Sequence, residues 1–264
     1  MNSAKRVRRT TWLAACIAAI AACCVMWTGR GWADDAAEFR VLQLNLCHSG
    51  HVASCFTGDE AIEQAIAVMQ GEQPDVVSLN EVCRSDVSVL AGSSYQGWFT
   101  PARDRNGNPV KCTNGEDYGI AMLHQAGRTT SVSNGYTAQD SGNERRVWMC
   151  SRLDDGTAAC VTHLSTSSSV AMDQCEELLD INVPAHTGGS AAVVAGDFNL
   201  RYNRWNPWQP NVQDCVPGGF FRKGDGSVQH IMASSAHFAF IATEVIDMDG
   251  ATDHPGLLVR LSRR

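Results

Sequence analysis

Short apolar runs, each ending on a polar or ionisable residue, constrain this 264-residue chain more than any other feature. Residues 39–46 (FRVLQLNL) alternate as a half-buried strand does. Residues 75–79 (DVVSL) and 191–195 (AAVVA) are short, β-branched and bounded by turn formers, the pattern of buried strands. Residues 119–123, 147–150, 158–164, 229–233 and 257–261 read as further strands. Two segments have helical spacing instead. Residues 59–70 put Ile62, Ala65, Ile66 and Met69 on one face, and residues 170–181 do the same with Met172, Cys175, Leu178 and Leu179. Many strands with helices between them predict an α/β layered domain. No linker, repeat or charge block divides residues 34–264, so one domain is expected there.

The ends of these runs carry the chemistry. Asn45 ends the first, and Asn80 and Glu81 end DVVSL. Thr162 and His163 close the run after Cys160, Asp197 and Asn199 follow AAVVA, and Asp253 and His254 precede the last strand. Ligand sites in α/β folds gather at strand ends. Three carboxylates with the amides of Asn45 and Asn199 form an oxygen-rich set suited to Mg²⁺ or Ca²⁺. His163 and His254 supply groups for proton transfer near neutrality. With no G-x-S-x-G nucleophile motif, the set favours metal-assisted attack of water on a phosphorus ester. Singly, an Asp or Asn after a strand is a turn former or a cap, so the reading rests on the ordered set.

The chain starts with Lys5, Arg6, Arg8 and Arg9, then an almost unbroken apolar run from Trp12 to Trp27, then small residues up to Ala33. This is the layout of a secretory signal peptide over residues 1–33, cleaved near Ala33, with an uncleaved membrane anchor as the alternative. Cleavage removes three of the 11 cysteines and five basic residues, taking the formal charge from −7 to −12. Eight cysteines remain, an even set for an oxidising, extracellular compartment. Neighbouring pairs are expected: Cys47 with Cys55, and Cys150 with Cys160 around an Asp155-Gly156 hairpin. Cys83–Cys112 and Cys175–Cys215 complete the assignment. A zinc cluster is the alternative, but residues 34–264 hold no Cys-x-x-Cys pair.

LQLNL with Asn45, PDVVSLNEV with Glu81, VTHL with His163, VVAGDFN with Asp197 and Asn199, and TDHPGLLV with Asp253 and His254 occur in that order. In this the chain resembles the endonuclease/exonuclease/phosphatase superfamily, the deoxyribonuclease-like metal-dependent phosphoesterases. The resemblance implies a four-layer α/β sandwich, two central sheets packed face to face and flanked by helices. It implies that Glu81, with Asn45 nearby, holds the divalent metal, Mg²⁺ with Mn²⁺ or Ca²⁺ as alternatives. Asp197 would orient the attacking water and Asn199 would bind a phosphate oxygen. His254 would act as base or transition-state donor, with Asp253 as metal ligand or support, and His163 would face the phosphate opposite it.

On the substrate side, the resemblance suggests Glu116 as the group orienting His163, with Asp117 as rival, together with Tyr118. Arg145 or Arg146 would contact substrate. Family members usually carry an Asp that pairs with the catalytic histidine on the strand between GDFN and the terminal D-H. Here that position aligns with His230, or else Asp225 or Asp247 serves.

The implied partner is a phosphodiester, either nucleic acid or a phospholipid head group, with no stable protein partner and a monomeric chain. A phosphomonoesterase and a non-catalytic binding module on the same scaffold are the other readings. A charge near −12 lowers the nucleic-acid reading, because backbone affinity comes from Lys and Arg. Trp205 and Trp208, just after GDFN, could stack on bases, enter a lipid interface, or pack against Pro207 and Pro210.

Overall fold

In β1 (Glu38–Asn45), Phe39 and Val41 face a second sheet while Leu42 and Leu44 face helices, and this alternation organises the molecule. The computed structural model describes residues 38–125, 127, 130–205 and 208–264. The expected export segment, residues 1–33, lies outside the described residues. Contacts gather Ala37–Arg264 into one unit.

The first sheet comprises β1, β2 (Val76–Cys83), β3 (Gln96–Pro101), β4 (Tyr118–His124), β11 (Phe238–Ile246) and β12 (Gly256–Arg263). Its order is β11-β12-β1-β2-β4-β3. The second comprises β5 (Thr130–Gly135), β6 (Val147–Arg152), β7 (Ala158–His163), β8 (Ala192–Asp197), β9 (Phe220–Gly224) and β10 (Gln229–Ser234). Its order is β5-β6-β7-β8-β10-β9. Each sheet has one parallel pair at its centre, β1 with β2 and β7 with β8, and antiparallel neighbours elsewhere.

Val41, Val76, Met122, Met149, Val161, Val193, Ile231 and Val259 fill the space between the sheets. Outside the first sheet lie α1 (Glu60–Glu72) and α2 (Arg84–Ala91), which bury Ile62, Ala65, Met69, Val87 and Leu90 against Leu42, Leu44, Val77 and Leu79. Outside the second lie α3 (Ser168–Glu176), a π-helical continuation (Glu177–Asn182) and α4 (Val183–Thr187). Ala171, Leu178 and Leu179 from these segments pack on Val194 and Met232. The result is the four-layer α/β sandwich the sequence led us to expect.

The four strands that the sequence pattern left out, β3, β5, β9 and β11, are the four sheet edges. An edge strand has one neighbour and keeps much of its surface in water, so it lacks a clean apolar signature; every residue of β5 is exposed. Helix α2 also escaped the pattern. Its start is marked by the Asp86 carboxylate, which accepts the Cys83 N–H at 2.6 Å.

Cys47 is bonded to Cys55, Cys83 to Cys112, Cys150 to Cys160 and Cys175 to Cys215. All eight cysteines among the described residues are therefore spent, and none is left as a thiolate for the zinc alternative. Cys150 and Cys160 lie directly opposite each other on β6 and β7, with Cα atoms 4.0 Å apart. The turn joining these strands uses Gly156 at φ +83°, a backbone state open to glycine.

Candidate active site

Period-two alternation also builds the site. Gln43 and Asn45 continue the inward face of β1, His163 that of β7, Asp197 that of β8 and Gln229 that of β10. At one end of the sandwich the inter-sheet layer therefore changes from apolar to polar. Glu81 reaches the same space through a register shift of β2 against β4 between Leu79 and Val82. The shift leaves Glu81 at φ +58°, and Asn199 beyond β8 has φ +50°. Non-glycine residues in this region are strained by about 1–3 kcal/mol.

Asn45 is the centre of the carboxylate cluster. Its Nδ2 donates to Glu81 Oε1 and to Asp197 Oδ2, each at 3.0 Å, and its Oδ1 accepts the Cys47 N–H. His254 Nε2 lies 3.7 Å from Asp197 Oδ2 and 3.7 Å from Asp253 Oδ1. His163 Nε2 lies 3.9 Å from Glu81 Oε1. The Asn199 N–H donates to Asp197 Oδ1 at 2.9 Å, and Asn199 Nδ2 donates to the Leu164 carbonyl. Thr252 Oγ1 donates to the Asn45 carbonyl at 2.8 Å, tying the Asp253–His254 turn to β1. All seven residues expected to form the centre, Asn45, Glu81, His163, Asp197, Asn199, Asp253 and His254, thus converge.

Behind them lies an amide network. Asn80 Oδ1 accepts from Gln43 Nε2 at 2.7 Å and from the Asp197 N–H at 2.8 Å, while Asn80 Nδ2 donates to the Thr162 carbonyl. Gln43 Nε2 also donates to Gln229 Oε1, and Gln229 Nε2 to the Pro255 carbonyl next to His254. Gln43, Asn80 and Gln229 carried no assigned role in the sequence reading. The signal that could have found them is an amide at an inward position otherwise apolar.

Burial sets the electrostatics. It pushes the Glu81 carboxyl above the usual carboxylate range; the Asn45 bond opposes this, and Asp197 and Asp253 add to it. Burial holds His163 well below the ordinary histidine value, reinforced by Arg146 and His254. Arg146 is buried, pairs with Glu144 at 2.8 Å and keeps its Nε without a partner. Tyr118 is buried and pushed well above the usual tyrosine value by burial, with Glu144 and Glu81 adding to it.

Three substrate-side assignments change. Glu116 does not orient His163: its carboxylate accepts the Ser85 N–H at 2.8 Å at the start of α2. Its rival Asp117 is taken by Arg84 and Lys111, and the carboxylate beside His163 is Glu81. Arg145 pairs its backbone with Arg103, whereas Arg146 carries the charge that acts on Glu81 and His163.

His230 does not face His254. It lies on the outward face of β10, with Nε2 2.8 Å from the Leu200 carbonyl and its ring against Phe198. One residue of register separates it from Gln229, and in a strand one residue exchanges the faces. Asp225 Oδ1 accepts the Ser227 N–H and Asp247 Oδ1 the Asp249 N–H, each within its own turn, and Asp225 Oδ2 is buried without a hydrogen-bond partner. A groove of about 660 Å³ bordered by Ile66, Met69, Val89 and Tyr95 lies on the α1 and α2 side and holds no carboxylate or histidine.

Two face-to-face sheets with carboxylates, amides and histidines at one end define a class: α/β-sandwich phosphoester hydrolases. The sequence profile described as Endonuclease/Exonuclease/phosphatase family matches residues 43–254, and the chain belongs to that family. Its members hydrolyse phosphoester bonds and generally use divalent metal ions. No curated protein sequence matches the chain.

Solved structures are similar in fold. An endonuclease/exonuclease/phosphatase from Beutenbergia cavernae DSM 12333 has a TM-score of 0.66 and 22% identity over 86% of this chain and 72% of its own. The human Nocturnin catalytic domain with bound sulfate has 0.65 and 20%, over 86% and 95%. D. rerio TDP2 complexed with a single-strand DNA product has 0.63 and 13%, over 86% and 99%.

Proposed function

We propose that the protein is an exported, divalent-metal-dependent phosphodiesterase that cleaves nucleic acid by direct attack of water. The observation that carries this reading is the meeting of Glu81, Asp197 and Asp253 with His163 and His254 at one end of the sandwich. Glu81 and Asp253, with Asn45 setting the Glu81 carboxylate, are the groups that would hold the metal. They fit it: the buried Glu81 carboxyl is raised by burial and by two further carboxylates, a charge excess that a cation relieves. A bound divalent ion supplies Lewis-acid polarisation of a phosphoryl oxygen.

Asp197 orients the attacking water from Oδ2, the oxygen nearest His254, while Asn45 and the Asn199 N–H hold the carboxylate in place. His163, kept neutral by burial, donates its single N–H to a phosphoryl oxygen. Arg146 places fixed positive charge beside it. His254 lies against Asp197 Oδ2, where it exchanges a proton with the reacting oxygen. Four disulfides suit an oxidising compartment and support export. The similarity to TDP2 complexed with single-strand DNA product supports nucleic acid as substrate.

The test is hydrolysis of plasmid DNA, RNA, sphingomyelin and a chromogenic phosphodiester, each with Mg²⁺, Mn²⁺ or Ca²⁺. Cleaved nucleic acid supports the proposal, choline-phosphate release replaces the substrate with a lipid, and inactivity on all four removes the enzyme reading.

A further inference from the structure

The stretch directly after Asn199 is built unlike the rest of the surface. Leu200 and Val212 are buried in the core of the second sheet, and the described residues between them, 201–205 and 208–211, are exposed or half-buried. Its neck is fastened: Val212 N–H donates to the Arg201 carbonyl at 3.2 Å, and Asn211 Nδ2 donates to the Asn203 carbonyl at 2.9 Å. Cys215, three residues further on, is bonded to Cys175 of α3. Among the described residues between Leu200 and Val212, Trp205 is 84% exposed and Trp208 is 91% exposed.

The rings come with cations. The Arg204 guanidinium lies 5.0 Å from the Trp205 ring centre, and Arg222 of β9 lies 4.5 Å from that of Tyr202. Residues 198–213 hold two arginines and no Asp or Glu, within a chain of net charge −7. Trp205 is six residues from Asn199, so at most about 20 Å of chain separates it from the reacting centre.

Exposed flat rings alternating with cations beside a phosphoester site are what a single strand requires, stacking for bases and charge for phosphates. A lipid interface requires a continuous apolar face. Here Asn203, Arg204 and Gln209 interrupt the rings, and Pro207 and Pro210 are the only aliphatic side chains between Leu200 and Val212.

We propose that residues 201–205 and 208–211 form a binding surface for single-stranded nucleic acid. Trp205 and Trp208 stack on bases flanking the scissile phosphate, and Arg201, Arg204 and Arg222 engage backbone phosphates. This rests on the phosphoesterase reading for its direction, but it is tested separately.

The experiment is fluorescence anisotropy of a 5′-labelled single-stranded oligonucleotide titrated with the disulfide-bonded protein in EDTA, so that binding is read without turnover. Trp205→Ala with Trp208→Ala weakens binding at least about fivefold per ring, and the Phe pair restores most of it. Arg204→Gln lowers the slope of log K against log salt by about 0.7. Wild-type hydrolysis of a small chromogenic phosphodiester reports the enzyme reading by itself. Binding by the Ala pair equal to wild type overturns the binding surface. So does ring-dependent binding to phosphatidylserine–phosphatidylcholine vesicles without binding to the oligonucleotide.

Discussion

The backbone N–H of Asp197 on one sheet donates to the side-chain oxygen of Asn80 on the other, at 2.8 Å. Asn80 is fully buried and also holds Gln43 and the Thr162 carbonyl, so one amide sets the spacing of the two sheets where the reacting groups meet. Removing it leaves a buried donor on Asp197, a buried acceptor on Thr162 and a buried amide on Gln43 with fewer partners. Asn80→Ala should cost about 2–4 kcal/mol, read from urea unfolding. It should also lower kcat, because Asp197 loses its anchor. Unchanged stability would show that the network carries no weight.

Asp197 and His254 should separate from the fold in kinetics. Asp197→Asn keeps the shape and loses the charge, and His254→Ala removes a partly exposed ring. Each should reduce metal-dependent hydrolysis by about 10²-fold or more. The unfolding midpoint of the His254 variant should stay near that of the parent. Substantial residual activity in either variant would reassign the roles.

Gln229, not His230, is the β10 position that meets the His254 turn, through its bond to the Pro255 carbonyl. Gln229→Asp places a carboxylate there and should move the pH–rate profile to higher pH, since negative charge favours a protonated imidazole. His230→Asp acts on the opposite face, against Phe198, and should lower stability without moving the profile. The reverse pattern would put the register of β10 in error.

His230 also makes stability fall in acid. Burial lowers it from 6.5 to about 3, outweighing the Leu200 bond, and Arg222 adds to the effect. Above about pH 6.5 neither folded nor unfolded chains carry this proton, and stability is independent of it. Between about 6.5 and 3 only the unfolded chain gains the proton, so stability drops as pH falls. His163, lowered by burial, acts in the same direction. His230→Gln should reduce the slope of unfolding free energy in this window, by at most about 1.4 kcal/mol per pH unit. An unaltered slope would place the acid sensitivity elsewhere.

Cys175–Cys215 closes a 40-residue separation that contains Asp197, Asn199 and the exposed tryptophans. Replacing both cysteines with serine should cost about 4 kcal/mol by loop entropy, measured by thermal or urea unfolding. It should also increase proteolysis between residues 200 and 212. A loss below about 1 kcal/mol would mean that hydrogen bonds at the loop neck already constrain the chain.

What the sequence determined by itself was local and periodic. Alternation in residues 39–46 and in the short β-branched runs marked the eight strands that have neighbours on both sides, because a strand buried between others must be apolar. The order of Asn45, Glu81, His163, Asp197 and His254 was legible because each lies at one end of such a run, His254 before the last strand and the others after theirs. The edge strands were not legible, since water on one side removes the pattern. Nor was the face of a strand at its polar end: nothing local tells His230 from Gln229, and only packing against the opposite sheet decides which points inward. Glu116 likewise reads as a site carboxylate until the start of α2 is seen to claim it. Chemistry at strand ends follows from composition along the chain. Which atoms meet follows from the register between chains of residues far apart, and that is a property of the assembled sandwich alone.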